Sequence, residues 1–221
     1  MKRQRSSAAV QPVAMASPVR RLILAAHPGQ ALAAAFALLL GLALFIGLQR
    51  LVTPRYNWVT PLDQWIPFVA ESWFLYVLFF PFVLLAAAYA SPERFRGLRN
   101  ATGLAFGVAL LCFWLFPEVL PRPQLDALDN AFLQQRLSRM WQLDRACNGF
   151  PSLHVAVTCL AWWALRGRPY PWLSAASGLL ICLSTLTLKQ HTLVDVAGGV
   201  LLALVCALVT QRQGNHRRVP A

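Results

Sequence analysis

Two short stretches of the chain carry side chains that could do chemistry. One runs Ser184-Thr185-Leu186-Thr187-Leu188-Lys189-Gln190-His191-Thr192-Leu193-Val194-Asp195, and the other is Pro151-Ser152-Leu153-His154. Each stands at the mouth of an apolar segment. His191 and Asp195 are four residues apart, so on a helix they share a face. A carboxylate that accepts a proton from one imidazole nitrogen fixes the tautomer and leaves the other nitrogen as nucleophile or base. His154 supplies a second imidazole. Pro151 suits the first turn of a helix, and the free N–H groups of that turn, with the Ser152 hydroxyl, make an end that could hold an anion. Arg122, within Pro121-Arg122-Pro123, and Lys189 add positive charge; arginine can grip a phosphate with two bonds and lysine acts as a point charge.

Each residue alone has a plainer explanation. Ser152 could be only a helix cap, His154 only an interfacial imidazole, and Arg122 or Lys189 a side chain reaching lipid headgroups. Together they form the set that phosphoryl transfer through a phosphohistidine needs. Cations neutralise the phosphoryl oxygens, one histidine attacks, and the other protonates the leaving oxygen. No carboxylate cluster is present that would hold magnesium, so neither a metal nor a cofactor is expected.

The elements that must position these residues are membrane helices. Of 221 residues, 57% are hydrophobic and 13% charged, against about 25% charged in a soluble domain. The apolar residues come in blocks: about 30–49, 70–90, 101–119, 151–166, 170–188 and 191–211. The reading is an all-α integral membrane protein with a six-transmembrane-helix bundle spanning 29–211, between basic tails at 1–28 and 212–221. A secretory signal does not fit the first block, which is too long and is followed by Arg50 and Arg55 in place of a cleavage site. The polar stretch Ser91 to Asn100 reads as a loop. Between spans 3 and 4, Leu125, Leu128, Phe132, Leu133, Leu137, Met140 and Trp141 fall at helical spacing among charged residues. That predicts an amphipathic helix at the interface, or a lid over the bundle.

Charge sets the orientation. Net charge is +12, concentrated in the tails and in the loops around Arg94, Arg96 and Arg99 and around Arg166 and Arg168. This is the pattern of membrane topology and not of nucleic-acid binding. It places both termini in the cytoplasm and both histidine motifs on the outer face, as in a bacterial inner membrane. The cysteines Cys112, Cys147, Cys159, Cys182 and Cys206 are scattered and odd in number, which excludes a disulfide framework or zinc site and leaves small buried hydrophobes.

On these motifs the sequence resembles the phosphatidic acid phosphatase type 2 superfamily, membrane branch. That family carries Lys-x6-Arg-Pro, Pro-Ser-Gly-His and Ser-Arg-x5-His-x3-Asp. Arg122-Pro123 matches the end of the first, Pro151-Ser152-Leu153-His154 three positions of the second, and Ser184, His191 and Asp195 the spacing of the third. Leu115, Leu153 and Thr185 stand where the family has Lys, Gly and Arg, which looks more like the inositol phosphorylceramide synthase subgroup. The resemblance implies His191 as nucleophile, Asp195 orienting it, His154 as general acid, and Arg122 and Ser152 on the phosphate. Lys189 is expected to replace part of the missing charge. The implied activity is that of a membrane lipid-phosphate phosphatase or phosphotransferase in the phospholipid bilayer, or a lipid head-group transferase. The competing readings are a serine hydrolase using Ser152 with His191, which lacks a Gly-x-Ser-x-Gly elbow, and a non-catalytic transporter or scaffold, for which no internal repeat is visible.

Overall fold

The computed structural model describes residues 26–216, with side chains through Gln211. The expected basic tail before residue 26, with Lys2 to Arg21, and Arg217 and Arg218 lie outside the described residues. The described chain is helical. Its segments are α1 Pro28–Gln49, α2 Pro61–Trp65, α3 Ser72–Val77, α4 Phe79–Tyr89, α5 Pro92–Leu115, α6 Ala131–Leu143, α7 Leu153–Leu165, α8 Pro171–Thr187 and α9 Leu193–His216.

Four of these rods are long and apolar enough to cross a membrane: α1, the abutting α3–α4, α5 and α9. The other two expected spans form shorter apolar helices of 13 and 17 residues, α7 and α8. The rods alternate in direction, and hydrogen bonds tie their ends into two groups. At one end the Arg168 side chain donates to the Tyr89 carbonyl and Arg94 Nη1 to the Ala164 carbonyl at 3.5 Å. At the other, Val69 N donates to Thr187 O at 2.9 Å, Arg55 N to Pro117 O at 2.8 Å and Ser152 N to Asp195 O at 3.0 Å. Both histidine motifs belong to this second end.

Small side chains let the rods approach. Ala86, Ala105, Ala109, Ala156 and Ala161 are fully buried where α4, α5, α7 and α9 meet, as expected where lipid removes most of the hydrophobic drive between helices and close packing must replace it. The outer surface is apolar instead: Leu32, Phe36 and Leu39 of α1 are 72%, 70% and 68% exposed, a face suited to hydrocarbon and not to water.

Two local readings of the sequence change. Residues 92–100, expected as a loop, are the first turns of α5. Ser91 Oγ accepts from Arg94 N, Pro92 occupies the first helical position and Glu93 lies in the first turn, so Ser-Pro-Glu is a helix start and leaves a link of only two residues after α4. Pro151 likewise precedes its helix and is not its first residue. Ser152 is the N-cap and α7 begins at Leu153. The long connection holds α6, whose Asn130 cap accepts from Leu133 N at 3.1 Å. Leu133 and Leu137 are fully buried against Ala70 and Leu188, with Phe68, Tyr76 and Met140 around them. The helix thus covers the site end of the bundle.

The approach of α9 to the start of α7 requires glycine. A Cβ on Gly199 would stand 2.5 Å from the Ser152 carbonyl oxygen, whereas one on Gly103 of α5 would meet nothing within 4 Å. Gly199→Ala is therefore expected to destabilise the protein by about 1–3 kcal/mol through overpacking. Gly103→Ala should be neutral or stabilising by up to about 1 kcal/mol from helix propensity. Melting curves of the two variants in detergent measure the difference.

Candidate active site

Asp195 sits at the first turn of α9 and is fully buried. Thr192-x-x-Asp195 forms a capping box. Thr192 N donates to Asp195 Oδ2 at 2.7 Å and Asp195 N to Thr192 Oγ1 at 3.3 Å. The pattern is the reciprocal cap of a helix start. The same Oδ2 lies 3.6 Å from His191 Nδ1. The carboxylate therefore faces the imidazole while its position is fixed by the backbone of its own helix, and His191 Nε2 is turned away from the acid.

His191 is held by the end of α8. Lys189 N donates to Leu186 O at 3.1 Å and Gln190 N to Thr185 O at 3.0 Å, the two bonds of a Schellman stop. The residue at its left-handed position is Lys189, at φ 55°, where glycine is the usual choice. A non-glycine residue there costs on the order of 1 kcal/mol. The Lys189 ammonium is bound in return: Nζ donates to the carbonyls of Asp63 at 2.9 Å and Ile66 at 2.5 Å.

His154 enters from α7. Its ring stacks on Tyr76 at a centroid distance of 4.2 Å and lies 4.1 Å from Phe79, which leaves it little rotational freedom. Its Nε2 is buried without a partner. Both imidazoles line one cavity of about 130 Å³, with Asn148, Gln190 and Asp144 on its polar side and Leu38, Phe45, Phe106 and Phe113 on its apolar side. The structure thus brings His154, His191 and Asp195 together, as the sequence predicts.

The other predicted residues are placed differently. Ser152 is fully buried, and its Oγ accepts from Val155 N at 3.2 Å, so its hydroxyl is occupied as a cap. Arg122 and Lys189 line a second cleft of about 290 Å³ that also reaches His191. Arg122 Nη2 pairs with Asp144 Oδ2 at 3.2 Å. Its Nη1 donates to the carbonyl of Asp144 at 2.6 Å and that of Trp141 at 3.2 Å. Of the Arg122 nitrogens, Nε is buried without a partner.

Four residues that sequence reasoning did not assign shape this site. Asp144 is the counter-charge of Arg122 and also accepts from Gln49 Nε2 at 2.7 Å. The Gln190 amide, with its nitrogen toward Asp144 Oδ2 at 3.1 Å and its oxygen toward Trp141 Nε1, fixes the residue before His191. Asp63 closes a capping box with Thr60 and accepts from Leu193 N at 2.8 Å, so one carboxylate caps both α2 and α9. The Thr60-x-x-Asp63 and Thr192-x-x-Asp195 spacings were visible signals for these caps. Glu118 is buried beside Asp195 and is treated below. Among the described residues no group of three or more His, Cys, Asp or Glu side chains is placed to hold a metal ion.

A family model described as the PAP2 superfamily matches residues 40–209, a range that holds His154, His191, Asp195, Arg122, Ser152 and Lys189. Searches of curated proteins and of solved structures return no match.

Asp63 gives a pH-dependent prediction. Burial raises its carboxyl, but the bonds from Thr60 and Leu193 and the Lys189 charge outweigh this and leave it below its ordinary value of 3.8. A depressed acid contributes stability that is complete above its unfolded value and is lost as pH falls through the folded one. The melting-temperature gap between wild type and Asp63→Asn should therefore be constant above about pH 5 and close below about pH 4. Melting scans across that range check it.

Proposed function

We propose that this chain, which belongs to the PAP2 superfamily, is a membrane phosphatase or phosphotransferase that carries the phosphoryl group on His191. The observation that carries this reading is the pair of imidazoles on one cavity, one backed by a buried carboxylate and the other with a buried, unpartnered Nε2. His191 Nε2 attacks phosphorus while Asp195, facing Nδ1 at 3.6 Å, offsets the charge that develops on the ring. The bond from phosphorus to the leaving oxygen breaks, and His154, which takes up a proton beside the bound phosphate anion, gives it to that oxygen. Water, or an alcohol acceptor, then attacks the phosphohistidine and yields its proton to His154. The phosphoryl group leaves and His191 returns to its neutral form.

The substrate proposed is an amphiphile. The cavity runs from the histidines to Leu38, Phe45 and Phe106 on α1 and α5, so a phosphate at the polar side would leave its chain among apolar walls. With α7 and α8 counted as crossings, the proposed topology has the arginine-rich ends in the cytoplasm and the site on the outer side, as the positive-inside rule favours. In this topology α6 lies along the outer interface. Arg122 Nε, the first N–H groups of α7 and the Lys189 charge are the groups proposed to meet the phosphate, with Ser152 acting through the cap of that helix.

One observation favours the head-group transferase reading. Arg122 is already paired with Asp144 and Lys189 with two carbonyls, so the positive lining is thin. A phosphomonoester brings about −1.5 to −2 charges at neutral pH, whereas a phosphodiester brings a single one. A thin lining suits the diester.

The test is turnover of purified protein on a panel of lipid phosphomonoesters and phosphodiesters, each with and without an alcohol acceptor and EDTA. The expected result is EDTA-resistant turnover that falls by about 10²–10⁴ in His154→Ala and is abolished in His191→Ala. Full activity in His191→Ala would refute the assigned nucleophile. Turnover that appears only with a diester and an acceptor would select the transferase.

A further inference from the structure

We propose that Glu118 is a positioning residue of the site: as a neutral carboxylic acid it donates a hydrogen bond to Asp195 and holds that carboxylate in line with His191. Glu118 and Asp195 are 1% and 0% exposed. The two side chains meet beneath Gly149, where an added Cβ would stand 2.1 Å from Glu118 Oε1 and 3.0 Å from Asp195 Oδ2. Both Glu118 oxygens and Asp195 Oδ1 are buried without a donor.

Two buried acids side by side cannot both be ionised at modest cost, and a single proton shared between them removes the repulsion and fills the empty acceptor. The proton belongs on Glu118. Asp195 already accepts from Thr192 N at 2.7 Å and faces His191, both of which favour its anion, whereas Glu118 has neither. Burial first, and the Asp195 charge second, push the Glu118 carboxyl well above the usual carboxylate range. Arg122, four residues along the loop, is committed to Asp144.

The backbone gives Glu118 no room to retreat. Its N–H donates to Cys147 O at 3.1 Å, Val119 N to Tyr56 O at 2.6 Å, and Leu120 N to Ala146 O at 3.2 Å. Segments before α2 and before α7 therefore clamp the residue from two sides. Gly149 leaves the space that both carboxyls fill, so the clamp, the glycine and the acid pair form one unit behind the nucleophile.

This inference rests on His191 and Asp195 being the nucleophilic pair, and its test separates the two claims. Glu118→Gln keeps a donor of the same shape, and Glu118→Ala removes it. In detergent micelles, on dioctanoyl phosphatidic acid and on a dioctanoyl phosphodiester with an alcohol acceptor, Glu118→Ala should lower kcat by about 10- to 100-fold with KM unchanged, the size of loss seen when the partner of a reactive group is removed. Glu118→Gln should stay within about threefold of wild type, a difference too small to count as lost transition-state stabilisation. A Glu118→Ala enzyme with wild-type kcat, or a Glu118→Gln enzyme as impaired as Glu118→Ala, would overturn the proposal.

A second readout needs no turnover. With the donor gone, Asp195 bears more negative charge and His191 holds its proton more tightly. Titration of ¹⁵N-histidine-labelled protein should then move the His191 midpoint upward in Glu118→Ala and leave it in place in Glu118→Gln. An unmoved midpoint in Glu118→Ala would also overturn the proposal. Loss of the family activity in His191→Ala reports on the nucleophile and not on Glu118.

Discussion

The buried carboxylate of Asp195 is the point through which the site is assembled. Its side chain caps the start of α9, faces His191 and abuts Glu118, while its main-chain carbonyl receives Ser152 N at the mouth of α7. Three stretches that are remote in sequence, around residues 118, 152 and 191–195, thereby converge on one residue. A buried acid is costly unless its acceptors are filled. That requirement explains why the surrounding backbone is so closely specified: the Schellman stop at Lys189, the glycine at 199 and the clamp on residues 118–120 all serve to bring donors to it.

The helices were largely legible in the sequence because apolar blocks and caps are local. The first, second and last rods start within two residues of their expected places. Residues 92–100 were misjudged because their charges suggested a loop, although Ser91-Pro92-Glu93 is a helix start. The lengths of α7 and α8 were also overestimated, since Ser152 caps the first and the left-handed Tyr170 precedes the second. His191, Asp195 and His154 could be named in advance because their spacing is local to two helix mouths. Glu118, Asp144 and Gln190 could not, since each acts through a partner brought near only by tertiary folding. Glu118 and Asp144 stand among the charged residues between the third and fourth spans, with no local spacing that sets them apart.

The cations tell the same story from the other side. Arg122 and Lys189 do lie near His191, yet each is already bound. Arg122 is paired with a mostly buried aspartate and stacked near Trp141 at 5.2 Å, and Lys189 is bound to the carbonyls of Asp63 and Ile66 at the end of α2. A site whose cations are satisfied at rest pays part of their attraction for phosphate in advance. It is pre-organised, with less of its positive charge left free. Sequence spacing alone could assign these residues a charge but not its commitments.

The central claim is that His191 becomes the carrier of the phosphoryl group. It is tested most directly by acid-free quenching during turnover, digestion, and mass spectrometry of the peptide containing Lys189 to Asp195. The account predicts a phosphoryl adduct on His191 that accumulates when His154→Ala slows its breakdown. An adduct on His154, or turnover with none on His191 under conditions that preserve phosphohistidine, would contradict it.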